Sequence, residues 1–133
     1  MNIGMTDDQI ALRDSVRKFC ETELLPHYKR WDRESDKFLS DTFMQKIIDM
    51  GLLHLRLPEE FGGQGMSFVD CGLVCEEIGR ADHNIRYIIS NAIHLGEMAP
   101  SMHPDLREEW IPRIAGGEMM SLAFTEPRGG ADA

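Results

Sequence analysis

Cysteine is scarce, basic charge is outnumbered and long apolar runs are missing. Three cysteines, Cys20, Cys71 and Cys75, in 133 residues are too few and too odd in number for a disulfide framework. Cys71 and Cys75 stand four apart, the spacing of two thiols on one helix face. Without a second pair they make no zinc site. Fourteen Lys and Arg against 23 Asp and Glu leave a formal charge of −9. That is the wrong sign for a nucleic-acid binder, whose affinity rests on a basic stripe, and it disfavours an anionic membrane surface. No apolar run approaches the roughly 20 residues of a membrane-spanning helix. The opening MNIGMTDDQI has neither the basic nor the apolar region of a secretory signal, so the expected setting is a reduced cytoplasm.

The short motifs that carry chemistry by themselves are also missing. There is no nucleophile elbow, no HExxH, no EF-hand loop and no phosphate loop. His27, His54, His83, His94 and His103 are scattered without ligand spacing, so no metal site is expected. Glu76–Glu77 and Glu108–Glu109 are adjacent pairs, which diverge on a helix and read as solvated faces rather than an acid/base pair. The nine methionines suit either an adaptable apolar pocket or ordinary core filling.

What is present is helical periodicity in a composition that is 42% hydrophobic, enough for one domain with a core. Thr6-Asp7-Asp8-Gln9 fits a capping box, and Leu12, Val16, Phe19, Cys20 and Leu24 recur at three and four up to Pro26. Residues 27–38 are charged and less periodic, suiting a short exposed helix. Ser40 suits the cap of a second long helix, with Phe43, Ile47, Ile48 and Met50 inward and Gly51 as its stop. Pro58 to Gly65 is a glycine-rich connector. Ser67 opens a third long helix with Phe68, Cys71, Val74, Cys75 and Ile78 on one face. A fourth covers about Asn84 to Ala99 with a broad apolar face. Pro104 opens a fifth through Leu106, Trp110, Ile111 and Ile114, stopped by Gly116-Gly117. Met119 to Thr125 is short, apolar and without helical period, so it reads as a strand, and a lone strand needs partners. The expected fold is therefore all-α, an up-and-down or orthogonal bundle of about five to six helices, ending in a short strand that belongs to a β-domain outside this chain.

At the end of the last helix the order of residues is distinctive. Ile114-Ala115-Gly116-Gly117-Glu118 leads to Leu122-Ala123-Phe124-Thr125-Glu126-Pro127 and then Gly129-Gly130-Ala131-Asp132. This resembles the acyl-CoA dehydrogenase signature of a helix ending in glycine, a short strand and TEP-x-x-G-S-D. Pro58-Glu59-Glu60-Phe61-Gly62-Gly63-Gln64-Gly65 resembles that family's PEEYGG-x-G loop, and Glu76-Glu77-Ile78-Gly79-Arg80 matches its pattern too. The resemblance spans nearly the whole chain. It implies an N-terminal helical domain at 1–117 and the first strand and turn of a middle β-domain at 118–133. It also implies FAD as cofactor, an acyl-CoA substrate and an electron-transfer flavoprotein or similar acceptor, in a homotetramer or homodimer.

In that family a carboxylate on a C-terminal bundle removes the α-proton of the thioester and the β-hydride passes to flavin N5, so no catalytic residue is assigned here. The flavin-contacting positions matched are Leu122, Phe124 and Thr125 on the strand and Gly130, where the backbone approaches the cofactor. Ala131 stands where the family usually has a serine contacting cofactor and thioester, and lacks that hydroxyl. Arg128 replaces a small residue. Ile89 and Ile93, on the helix resembling the floor of the acyl pocket, are candidates for substrate lining, with core packing as the competing role. Two other readings stand beside the dehydrogenase: a non-catalytic helical binding or assembly module, and the N-terminal part of an acyl-CoA oxidase.

Overall fold

The computed structural model describes residues 4–31, 33, 41–121, 123 and 125–130, the side chains of 41 and 42 excepted. Helix α1 (Asp7–Phe19) starts at a complete capping box. Thr6 Oγ1 accepts from the Gln9 amide at 3.2 Å, and the Gln9 side chain accepts from the Thr6 amide at 3.1 Å. The helix then loosens into a π-helical turn, Cys20–Leu24, closed by the Leu25 amide on the Cys20 carbonyl at 2.9 Å. Val16, Cys20 and Leu24 are all buried. A strict four-residue spacing drifts around an α-helix of 3.6 residues per turn, and the wider turn offsets that drift.

Helix α2 (Tyr28–Trp31) is a single turn. It is exposed as expected except for Trp31, which is buried and packs against Phe43 at 4.8 Å between ring centroids. Helix α3 (Asp41–Asp49) turns Phe43 and Ile47 fully inward, leaves Ile48 half-buried, and ends at Gly51 with φ +70°. Its expected cap, Ser40, lies outside the described residues.

The connector from Met50 to Met66 is held by its own backbone. Gly63 donates to the Pro58 carbonyl, Gln64 to that of His54, Gly65 to that of Leu57 and Met66 to that of Leu55, all between 2.8 and 3.0 Å. Leu52, Leu53, Leu55 and Leu57 plug into the core beneath it.

Helix α4 (Phe68–Ala81) opens with a second capping box between Ser67 and Asp70. Gln9 Nε2 donates to Asp70 Oδ1 at 2.9 Å, so the caps of α1 and α4 are fastened together. The stripe expected on α4 is corrected at its first member. Phe68 is 60% exposed, with the Arg56 guanidinium 4.6 Å over its ring; at the first helical position it precedes the turn that faces the core. Asp82 closes α4 and caps helix α5 (His83–Met98), accepting from the amides of Asn84 and Ile85. Helix α6 (Pro104–Ala115) has Pro104 in its first turn. Only the later part of its predicted stripe is buried: Ile111 and Ile114 point inward, whereas Leu106 and Trp110 are exposed.

The fold is thus all-α, with six α-helices among the described residues. α4 lies between α1 and α5, and the main core draws Val16, Leu24, Ile47, Leu52, Val74, Ile78, Ile85 and Ile89 from every side. The described part of the expected strand carries no regular structure. Among the described residues the one β-pairing is an isolated bridge between Glu126 and Gly129. A strand exists by donating and accepting across to a neighbour, and none is described beside it.

Candidate functional site

The helical body and the segment leaving it meet at the C-terminus of α6. Gly117, at φ +102°, donates to the Ile114 carbonyl, and Glu118 donates to that of Arg113. These two bonds form a Schellman motif, whose left-handed position favours glycine. The hydrophobic contact that usually accompanies the motif is replaced by an ion pair, Arg113 Nη2 to Glu118 Oε2 at 2.9 Å. The His54 ring donates from Nε2 to the Ala115 carbonyl at 3.1 Å. The direction in which the chain leaves α6 is therefore set from three sides.

Beside this exit lies a narrow cavity lined by Met44 of α3, Ile88, Asn91 and Ala92 of α5, and Met119 and Met120. It measures about 10 Å³, room for at most one water. Asn91 Nδ2 reaches across it to donate to the Met120 carbonyl at 2.8 Å. Ile89 and Ile93 do not line it. They are 0% and 8% exposed and belong to the main core of this domain. That is the core-packing role weighed for them beside substrate lining. The polar interruption, Asn91 within Ile88-Ile89-Ser90-Asn91-Ala92-Ile93, was the signal for the cavity side.

Beyond Met120 the segment is open. Thr125 is exposed, and its hydroxyl has no hydrogen bond among the described residues. Glu126 to Gly129 then form a tight turn with Pro127 second, each end donating to the other, at 2.8 and 3.3 Å. A Cβ placed on Gly130 would meet Thr125 Oγ1 at an ordinary 3.8 Å, so within this chain nothing requires glycine there. Leu122, Phe124 and Ala131 lie outside the described residues.

The buried titratable groups of the helical body are committed to structure. Glu77 is corrected from a solvated face to a buried carboxylate, 5% exposed. Arg17 grips it with two hydrogen bonds of 2.7 and 3.0 Å, and Arg80 stands 3.4 Å away. The hydrogen bonds from Arg17, and then its charge, hold the Glu77 carboxyl below the usual range against the opposing effect of burial. The pattern carried a sign of this, because Glu77 shares the stripe of Val74, Ile78 and Ala81, and a carboxylate there demands a cation. Burial, then the charge of Glu77, pushes the Cys20 thiol up to about 12. Burial likewise takes Cys71 to about 11 and raises Cys75, so the cysteines are inert thiols at neutral pH. No cluster of three metal-ligating side chains occurs among the described residues, and no described helix is long and apolar enough to cross a membrane.

An all-helical domain that runs from the cap of α1 to the Schellman motif of α6 and then releases a Thr-Glu-Pro turn matches one family model closely in extent. That model, described as the N-terminal domain of acyl-CoA dehydrogenase, covers residues 6–118, and the chain belongs to this family. The chain is 29% identical over 131 residues to (2S)-methylsuccinyl-CoA dehydrogenase of Cereibacter sphaeroides, covering 97% of itself and 24% of that protein. It is 33% identical over 139 residues to acryloyl-CoA reductase (NADH) of Anaerotignum propionicum, covering 100% of itself and 34% of the relative. Its fold superposes on a glutaryl-CoA dehydrogenase from Mycobacterium smegmatis in complex with FADH2 with a TM-score of 0.79 at 25% identity, over 96% of this chain and 33% of that one. The chain therefore spans about a quarter to a third of the length of these proteins.

Proposed function

We propose that residues 1–117 are the helical N-terminal domain, and residues 118–133 the start of a middle β-domain, of an FAD-dependent acyl-CoA dehydrogenase. The reaction is α,β-dehydrogenation of an acyl-CoA thioester, in which FAD, when bound, supplies the hydride acceptor. The observation that carries this reading is the family match from Thr6 to Glu118, with the Thr125-Glu126-Pro127 motif a few residues further on. The donors in this segment fit such a group: the exposed Thr125 hydroxyl suits a flavin's heteroatom edge, and Gly130 presents no side chain of its own to a cofactor.

In this reading Leu122, Phe124, Thr125, Gly130 and Ala131 bind the cofactor through backbone and hydroxyl. Ala131 also borders the thioester, without the hydroxyl of its counterparts. The cavity side of α5, with Ile88 flanked by Met44 and Met120, forms the apolar floor beneath the acyl group and excludes water. Ile89 and Ile93 act behind it, fixing the helix from the core. The general base belongs to another part of the protein, so this chain alone is inactive. Electrons leave to an electron-transferring flavoprotein or similar acceptor, and the complete protein is a homotetramer or homodimer. Exposed Phe68, Val69, Leu106 and Met119 are faces that its remaining domains or copies would cover.

The test is to purify the native polypeptide that carries this segment, record its flavin absorbance, and add straight, branched and dicarboxylic acyl-CoA thioesters without oxygen. Bound flavin that bleaches with at least one of them is expected. A native polypeptide without flavin overturns the reading, and self-association of such a polypeptide with rising concentration would favour the helical binding module. Rapid reoxidation of the bleached flavin by oxygen would instead mark an oxidase.

A further inference from the structure

Among the described residues of 119–130, Met119 and half-buried Met120 border the cavity beside α5, and few others meet the helical body. Met119 is 66% exposed, and residues 121, 123 and 125 are exposed as well. The Schellman motif and the Arg113–Glu118 pair act on the chain only as far as Glu118. Past that point, among the described residues, one side-chain hydrogen bond joins the segment to the body: Asn91 Nδ2 to the Met120 carbonyl, 2.8 Å. Asn91 is half-buried, in the middle of α5, and apart from Glu118 the side chains around the cavity are apolar. A lone amide in such surroundings is costly unless it is bonded, and this one has a backbone carbonyl as its partner. Capturing that carbonyl fixes Met120, two residues beyond the end of the Schellman motif at Glu118, against α5.

We infer that Asn91 is a positioning residue, which holds the Met120 carbonyl against the cavity side of α5 and so sets where the segment leaves the helical body. Its functional value rests on the flavoenzyme reading, because there the acyl floor proposed on α5 and the segment proposed to contact the flavin are joined at this amide. The clamp itself is a property of the chain and is tested without cofactor or substrate.

The experiment compares the chain with Asn91→Ala, Asn91→Asp and Asn91→Gln variants. Limited chymotrypsin cleavage within 119–124 is followed under conditions where opening is fast relative to cutting, so that the rate follows the open population. Asn91→Ala removes the donor, and Asn91→Asp keeps the shape but offers an acceptor to a carbonyl. Each is expected to speed cleavage about five-fold, the loss of one ordinary hydrogen bond, with helix content by circular dichroism unchanged. Asn91→Gln, which retains the amide, restores part of the protection. In the unaltered chain the Asn91 side-chain amide gives a hydrogen-bonded proton shift. Unchanged cleavage in both Asn91→Ala and Asn91→Asp with helix content intact, or faster cleavage in Asn91→Gln equal to that in Asn91→Ala, overturns the inference. That result leaves the flavin reading standing, and a native polypeptide without flavin would leave the clamp standing.

Discussion

The stretch from Met50 to Met66 and the stretch from Gly116 to Gly130 are hard to tell apart by composition. Each has four glycines, one proline and a short apolar run. In the first, four backbone bonds close the connector on itself, and Leu52, Leu53, Leu55 and Leu57 are buried under it. In the second, regular structure ends at the Schellman motif, and Met119 and residues 121, 123 and 125–128 are exposed. The difference lies in what is nearby. The first stretch passes over α5 at Gly96 and finds a core for its leucines, whereas the second has one clamp and a self-contained turn. An irregular segment becomes fixed structure when its polar backbone and its apolar side chains both find partners, and glycine content alone does not decide that.

Gly96→Ala breaks the better-ordered side of this comparison. A Cβ there would come within 2.5 Å of the Arg56 carbonyl carbon and 2.6 Å of the Leu57 nitrogen, so the backbone of the connector would have to move. Against the roughly 1 kcal/mol that alanine gains over glycine within a helix, the expected net loss is about 3 kcal/mol. Urea denaturation of the chain reads it directly. An unchanged midpoint would mean that the connector is no better fixed than the exit segment.

A smaller effect is expected where α4 packs on α1, at Glu77→Gln. Arg17 is partly solvated, its side chain 39% exposed, so the loss is set at about 2 kcal/mol, below that of a fully buried pair. The sign of its pH dependence follows from the depressed carboxyl. The pair's contribution is complete above the ordinary value of 4.5 and is lost as pH falls through the lower folded value. The stability gap between the unaltered chain and the variant should therefore be present at pH 7 and close on acidification below about 4.5. A gap that persists under acid would show that the carboxylate contributes by shape rather than charge.

Much of this architecture is legible in the residues themselves. Thr6 with Gln9, Ser67, and Pro104 mark helix starts by local hydrogen bonding or fixed φ, and local signals survive folding intact. The Val16–Leu24 and Val74–Ile78 stripes found the core for the same reason. The errors came where tertiary context decides. Phe68 and Leu106 continue apolar stripes in sequence but stand in first turns that the neighbouring helices do not reach. Glu77 was misread because its partner, Arg17, is sixty positions away. In the candidate site, the Thr125-to-Gly130 motif pointed to the family, whereas the cavity side of α5 turned on which of two adjacent isoleucines faces inward, Ile88 or Ile89. A one-residue rotation of that kind is set by packing and is not written in apolarity.

The smallest effect on the fold separates it from the function. Gly130→Ala puts a Cβ in ordinary contact with Thr125 Oγ1 at 3.8 Å and meets no backbone, so the stability of this chain should change by less than about 0.5 kcal/mol. If Gly130 nonetheless serves as the close approach to a flavin, the same methyl in the complete protein stands between backbone and cofactor. There, flavin retention after dialysis should fall while the denaturation midpoint of the helical domain stays in place. Gly96→Ala should show the reverse order of injury, with the fold lost first and any flavin lost as a consequence. Should Gly130→Ala leave both quantities untouched, the turn after Thr125 is not the cofactor's seat. The flavin contacts would then have to be sought in parts of the protein beyond this segment.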